Sequence, residues 1–219
     1  MKKKINNDSE KIKKLCNITG YDGEYLATNG INVLGLDLSL SKTGIAIIND
    51  SEHYIDVIES EKRGPGRLVE IRDEIVKQIH RLGPGLAVLE GYAYGCQFGR
   101  EQAGELGGIV RVLLHEMKVT TIIVSPLSVK KYATGSAKGD KAQVMKSVYK
   151  KWGLDLNDNN ECDAYAIARI GHDILKSILT DSFKHLCGYE IEVIDTIIKG
   201  AEPNEDAKQK RHKRVHKDS

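Results

Sequence analysis

Asp37 lies inside the apolar run Ile31-Asn32-Val33-Leu34-Gly35-Leu36-Asp37-Leu38, whose composition otherwise predicts a buried strand. Burying a carboxylate costs several kcal/mol unless a cation or a dense set of hydrogen bonds compensates it, so a positive partner is expected there. Glu90 ends the strand-like Leu86-Ala87-Val88-Leu89, and Asp163 opens the helical stretch Ala164-Tyr165-Ala166-Ile167-Ala168-Arg169-Ile170. Three acids at the ends of apolar elements suggest one metal site. The bland alternative gives each acid a separate duty. Asp37 would accept turn hydrogen bonds, Glu90 would be a surface acid at a strand end, and Asp163 or Asn160 would cap a helix.

The elements that must position these acids follow from the pattern. Strands are predicted near 32 to 39, 44 to 49 and 54 to 59, joined by the turns Ser39-Leu40-Ser41-Lys42-Thr43-Gly44 and Asn49-Asp50-Ser51. After the Gly64-Pro65-Gly66 break, Leu68, Ile71, Ile75, Ile79 and Leu82 recur at three and four residues, which marks an amphipathic helix ended by Gly83-Pro84-Gly85. The strand closing on Glu90 leads through a Gly91-Tyr92-Ala93-Tyr94-Gly95 loop to a helix with Leu106, Ile109, Leu113 and Met117. A strand over 119–124, a short helix through Lys131, a 134–139 loop, a helix over 140–152 and a long helix from about 160 to 179 complete the order. Three strands, helix, strand, helix, strand and further helices suit an α/β fold, a mixed sheet with helices on both faces. Sites in such sheets gather at strand ends. Asp163 shares a helical stripe with Ile167, Ile170 and Ile174, so the face that packs on the sheet also carries the acid.

At 219 residues the chain has room for one well-buried domain of about 150 residues plus tails. The expected organisation is a basic polar extension over 1–30, a core over 31–180, a helical segment over 181–199 and a basic disordered tail over 200–219. The formal net charge of +2 is unevenly spread, with lysines clustered at Lys2 to Lys4, at Lys11 to Lys14 and from Lys208 to Lys217. Basic ends around a mixed core fit a polyanion partner, although such runs are commonly plain solvated tails. Cys16, Cys96, Cys162 and Cys187 are widely spaced and form no C-x-x-C pair, which argues against a zinc ribbon or a disulfide framework. The lysine-rich start lacks the apolar stretch of a signal peptide, and no segment approaches the roughly 18 apolar residues of a membrane span, so a cytoplasmic protein is expected.

One set of residues carries a resemblance: Gly35-Leu36-Asp37-Leu38-Ser39 with Thr43-Gly44, then Leu89-Glu90, Lys130, Thr134-Gly135-Ser136-Ala137 with Lys141-Ala142-Gln143-Val144, and Asp163-Ala164-Tyr165-Ala166-Ile167-Ala168. In this order and spacing, over roughly residues 31 to 178, they resemble the RuvC-type Holliday junction resolvases of the RNase H-like superfamily, and more closely the branch found in bacteriophages. The resemblance implies an RNase H-like mixed five-stranded sheet and a nuclease that nicks four-way or other branched DNA. It puts Asp37, Glu90 and Asp163 on metal-binding catalytic acids, with Asp37 bridging two ions. The family usually places one more acid three positions before the last, where this chain has Asn160. Glu161 is the preferred substitute, Asp158 the second choice, and Asn160 is left as a neutral oxygen or a cap.

Phosphodiester hydrolysis needs a nucleophilic water and a stabilised leaving oxygen, and two divalent ions about 4 Å apart do both. Carboxylate donors point to Mg²⁺, two per site, with Mn²⁺ as a substitute. Lys130, Lys138 and Lys141 border the predicted site, where they would hold phosphates of an entering strand, with Lys130 and Lys141 favoured by the resemblance. The resemblance also puts an aromatic that stacks at the junction centre in the loop of Tyr92 and Tyr94, where base stacking is worth about 1–3 kcal/mol. Exposed lysines also serve solubility, and loop tyrosines also pack locally. Gly104, Gly107 and Gly108 cost helix propensity and suggest close packing by another helix, which the resemblance makes a two-fold homodimer partner and packing within one subunit explains equally well. Two other classes compete. An actin-like ATPase or sugar kinase also opens on an Asp-containing hairpin, but needs two such lobes, and no nucleotide cofactor is expected. A non-catalytic branched-DNA binding module is motivated by Asn160 and the basic tails.

Overall fold

Alternation along β1 (Val33–Asp37) sorts its side chains onto two opposite faces, and the rest of the molecule is arranged around that division. Val33 joins one apolar core and Leu34 and Leu36 the other, which leaves Gly35 and Asp37 on the Val33 face. β4 (Leu86–Glu90) repeats the pattern: Leu86 and Val88 face the first core and Ala87 and Leu89 the second, so Glu90 returns to the first. The computed structural model describes residues 2–91 and 100–201.

β1, β2 (Lys42–Ile48) and β3 (His53–Glu59) form an antiparallel meander, and β4 and β5 (Thr120–Val124) add in parallel, giving the order β3-β2-β1-β4-β5. Asp37 stands opposite Gly44 of β2, and Leu36 opposite Leu89 of β4, so Asp37 and Glu90 end adjacent parallel strands. The Ser39–Thr43 turn is closed by Thr43 Oγ1, which donates to Ser39 O at 2.7 Å and accepts from Ser39 N–H at 3.2 Å.

Helices α3 (Pro65–Leu82) and α4 (Arg100–Glu116) cover the Leu34 face. The other face receives α7 (Asn159–Thr180), flanked by α5 (Pro126–Thr134), α6 (Lys141–Trp152) and α8 (Gly188–Ala201). Small residues let α7 lie almost on the sheet backbone. A Cβ on Gly35 would strike Ala164 O and Ala168 N, one on Gly44 would strike Asn160 O, and one on Gly171 would meet Val33 and Val88 side chains at 2.7 Å. Further along, Asp173 is buried and accepts from Tyr132 Oη at 2.6 Å and from Arg169 at 2.9 Å. Burial pushes its carboxyl up, but the His172 hydrogen bond, the Arg169 charge and the Tyr132 hydroxyl outweigh that, so it sits below the usual range.

The first thirty residues differ from the extension expected of them. They contain α1 (Lys2–Thr19) and α2 (Gly23–Asn29), with Ile12, Leu15 and Leu26 buried in the α7-side core. The reason is a stripe, Ile12, Leu15 and Thr19, hidden among lysines at helical spacing. Lys11 then pairs with Asp195 of α8 at 2.9 Å, while Lys131 pairs with Glu192 at 2.5 Å and Lys151 with the buried Glu190. The basic tail expected after residue 200 lies, beyond Ala201, outside the described residues. Among the described residues no helix is long and apolar enough to cross a membrane.

Candidate functional site

Register and alternation put Asp37 and Glu90 side by side on the face that α7 covers, and the first turns of α7 bring Asp163 over them. The carboxyls act on one another. Burial, then the Asp163 charge, raise Asp37 from its ordinary 3.8 to about 6, with Asp158 adding to the rise and Lys141 opposing it. Glu90 is pushed further, from 4.5 to about 8, by burial and by the charges of Asp37 and Asp163, against Lys130 and Lys141. Asp163 is raised by burial, with Lys141 and Lys130 pulling the other way. Glu90, raised to about 8, still holds its proton where Asp37, raised to about 6, has lost its own.

Of the lysines singled out in the sequence, Lys130 on α5 and Lys141 at the start of α6 therefore reach the acids electrostatically, and Lys138 sits exposed in the loop between those helices. Asp140 caps α6 by accepting from Gln143 N at 2.8 Å, which fixes where Lys141 enters. Tyr92 and Tyr94 lie outside the described residues.

Glu161 is placed elsewhere than at the acid cluster. Asp158 is the N-cap of α7, and Glu161 Oε2 accepts from Asp158 N at 3.4 Å as the reciprocal half of a capping box. Its charge is felt at Cys162 rather than at Asp37, Glu90 or Asp163. The physical reason is local: a Glu at the third helical position satisfies an orphan N–H at no cost in reach. Asp158 is the acid of this segment whose field does reach Asp37. Its Oδ1 accepts both the backbone N and the Nδ2 of Asn160, each at 2.7 Å, while its Oδ2 lies 3.6 Å from Lys42 Nζ.

The donors fit a divalent cation by type. Three hard carboxylates converge in a desolvated corner where they repel one another, and a cation would relieve both penalties. They are not drawn into a closed cage, since among the described residues no three such side chains are grouped tightly enough to hold an ion as they stand. The sequence reading also passed over the outer face of α6. There Lys146, the exposed Tyr149 and Lys150 share one side at helical spacing, and neither lysine makes an ion pair among the described residues. The signal was present as a basic stripe opposite Val144 and Val148.

Two solved structures share the architecture. The Thermus thermophilus RuvC structure superposes with a TM-score of 0.54 at 22% identity, over 63% of this chain and 91% of that one. The T. thermophilus RuvC in complex with Holliday junction substrate gives 0.56 at 20% identity, over 69% and 95%. The fold is thus of the RNase H-like kind. The family model for crossover junction endodeoxyribonuclease RuvC matches residues 33–172, and the protein of that name from Prochlorococcus marinus (strain NATL2A) is 26% identical over 150 residues, 64% of this chain and 97% of its own. The chain belongs to the RuvC family, endonucleases of the crossover-junction type that depend on divalent metal.

Proposed function

We propose that this chain nicks four-way or other branched DNA by hydrolysing phosphodiester bonds, with Asp37, Glu90 and Asp163 holding Mg²⁺, two ions per site, or Mn²⁺ in its place. The observation that carries the reading is the convergence of three mutually repelling, desolvated carboxyls beside Lys130 and Lys141. When bound, divalent ions supply a more acidic water and charge neutralisation at the leaving oxygen. The chain's own residues do the rest. Pairing with Gly44 and the closed Ser39–Thr43 turn fix the backbone that carries the Asp37 carboxylate beside Glu90. Lys130 and Lys141 attract the scissile phosphate, and Lys138 with the α6 stripe of Lys146, Tyr149 and Lys150 offers contacts to the backbone of an outgoing DNA arm.

A homodimer is part of this reading. Gly107 is buried, but among the described residues a Cβ on Gly104 or Gly108 would meet nothing within 4 Å, and Val112 is 58% exposed. These three form an outward stripe of α4 on which a second α4 could pack closely, matching a substrate with two equivalent strands. A cytoplasmic setting agrees with Cys16, Cys162 and Cys187, all unpaired.

The test is a gel assay of labelled four-way junction, fork and linear duplex in Mg²⁺ or Mn²⁺, with nicks mapped on each strand. Asp37→Asn is expected to abolish cleavage by at least a hundredfold and keep junction binding. Cleavage of the junction by wild-type protein and unchanged nicking by Asp37→Asn would reject the metal assignment. Structure-selective binding with no cleavage in any divalent metal would support the second reading, a silent binding module, which the uncharged Asn160 favours.

A further inference from the structure

Lys151, near the end of α6, turns its ammonium inward onto groups from two other helices. It pairs with the buried Glu190 of α8 and donates to Tyr132 O of α5 at 3.0 Å. The rings of Trp152, Tyr132 and Tyr189 stand around it with centroids at 4.6, 4.9 and 5.3 Å, within the range over which an aromatic face attracts a cation. Tyr132 O is one of the last four carbonyls of α5, which a helix leaves without an intrahelical partner, so the ammonium completes the end of a neighbouring helix. The other end of Tyr132 is held too, since its hydroxyl donates to Asp173 of α7 at 2.6 Å. Glu190 is fixed in turn: its Oε2 accepts from Cys187 N at 2.8 Å. Beside it the Tyr189 ring lies against Gly135, the C-cap of α5, where an added Cβ would touch the ring at 3.6 Å.

The helices joined in this way are the two that carry the phosphate lysines, Lys130 on α5 and Lys141 on α6. We infer that Lys151, oriented by Glu190, is a positioning residue that sets Lys130 and Lys141 against the phosphates of the entering strand. This rests on the reading of those two lysines as phosphate contacts. A lysine head on a flexible four-carbon stem ordinarily reaches for water, and the Glu190 carboxylate is what draws this one in and keeps it on Tyr132 O. The acids themselves stand on β1, β4 and α7, so loosening the clamp shifts the lysines and leaves Asp37, Glu90 and Asp163 in place. α8 follows residue 172, where the match to the family model ends, so a segment outside the family region helps to hold the DNA-facing side of the site.

The experiment measures the Kd of the full chain for a labelled four-way junction in EDTA, by fluorescence anisotropy, and kcat and KM for nicking in Mg²⁺. All are read at a temperature where circular dichroism shows the variants folded. The variants are Glu190→Gln, the Lys151→Met/Glu190→Gln pair, Asp195→Asn, the Lys130→Ala/Lys141→Ala pair, and that pair combined with Glu190→Gln. The methionine pair leaves no buried charge unpaired, so it keeps the test open if Glu190→Gln alone does not fold. Asp195→Asn breaks the tie of α8 to Lys11 of α1 and is the control for a loosened α8. Glu190→Gln and the methionine pair are expected to raise Kd and KM about fivefold and to keep kcat within about twofold of wild type. Asp195→Asn should leave all three unchanged. On top of Lys130→Ala/Lys141→Ala, Glu190→Gln should add no further loss, because it acts through those lysines. Unchanged Kd and KM in the methionine pair, beside weakened binding by Lys130→Ala/Lys141→Ala, overturns the inference and leaves the phosphate reading standing. Equal weakening by Asp195→Asn, or full additivity with the lysine pair, overturns it as well. Binding and nicking by Lys130→Ala/Lys141→Ala as in wild type remove the phosphate reading and this inference together. If the chain binds junctions without cutting them, the Kd values alone decide.

Discussion

Glu90 and Asp37 give the site a measurable signature before any metal is added. An acid raised on folding keeps its proton in the folded chain at pH values where the unfolded chain has lost it. Folding then takes up protons, and stability falls as pH climbs from the unfolded to the folded value. For Asp37 that window runs from 3.8 to about 6, and for Glu90 from 4.5 to about 8. In EDTA the melting temperature should therefore decline between pH 6.5 and 8, where Glu90 is the acid still titrating. Glu90→Gln should flatten that decline and raise the melting temperature at pH 8, and Mg²⁺ should do the same for wild type. Thermal unfolding across a pH series checks this. A decline in Glu90→Gln as steep as in wild type would assign the slope to another group.

At the scale of elements, the distance between α7 and the sheet decides whether Asp163 meets the strand-end acids. Gly35 and Gly44 set that distance because their missing Cβ atoms let Ala164, Ala168 and Asn160 backbone atoms approach directly. Gly44→Ala cannot be absorbed by a rotamer change, since the clash is with the Asn160 carbonyl. The helix start must lift or tilt. Overpacking of this kind costs about 1–3 kcal/mol. Nicking should fall by more than that loss of stability explains, measured at temperatures where urea titration shows the variant fully folded. An active, equally stable Gly44→Ala protein would mean that α7 has slack that the contacts do not suggest.

For the whole molecule, the open question is what lies against α4. The stripe of half-buried Gly104 with exposed Gly108 and Val112 is apolar and small, whereas Glu101, Glu105 and Glu116 beside it are charged. In the proposed homodimer, Val112→Glu would place a carboxylate in the middle of the two-fold contact, where it meets its own copy. Light scattering should show a shift from dimer to monomer. The junction assay should show single nicks replacing paired ones, with the fold unchanged because Val112 is largely exposed. A dimer that survives Val112→Glu would move the interface to another face.

Much of this arrangement was legible in the chain because the two backbone periods are strong signals. The two-residue alternation of Val33 to Asp37 and Leu86 to Glu90 marks strands, and the stripe from Asp163 through Ile167, Ile170 and Ile174 marks a helix that must lie on them. An acid inside such a pattern stands out because apolar burial and charge are in conflict. The periodicity cannot say which side chains of a helical turn face inward when several could. On sequence Glu161 is the preferred fourth ligand, whereas the fold engages its carboxylate with Asp158 N at the helix cap. The docking of α1 was hidden for a related reason, since Ile12 and Leu15 among lysines define an apolar stripe but not the surface that receives it. The division of Gly107 from Gly104 and Gly108 is likewise a matter of which face meets the sheet. Sequence determined the five strands and the helices from α3 onward and singled out the acids, because local patterning follows from backbone geometry. Tertiary structure alone decided their facing, because that depends on where distant backbones can touch.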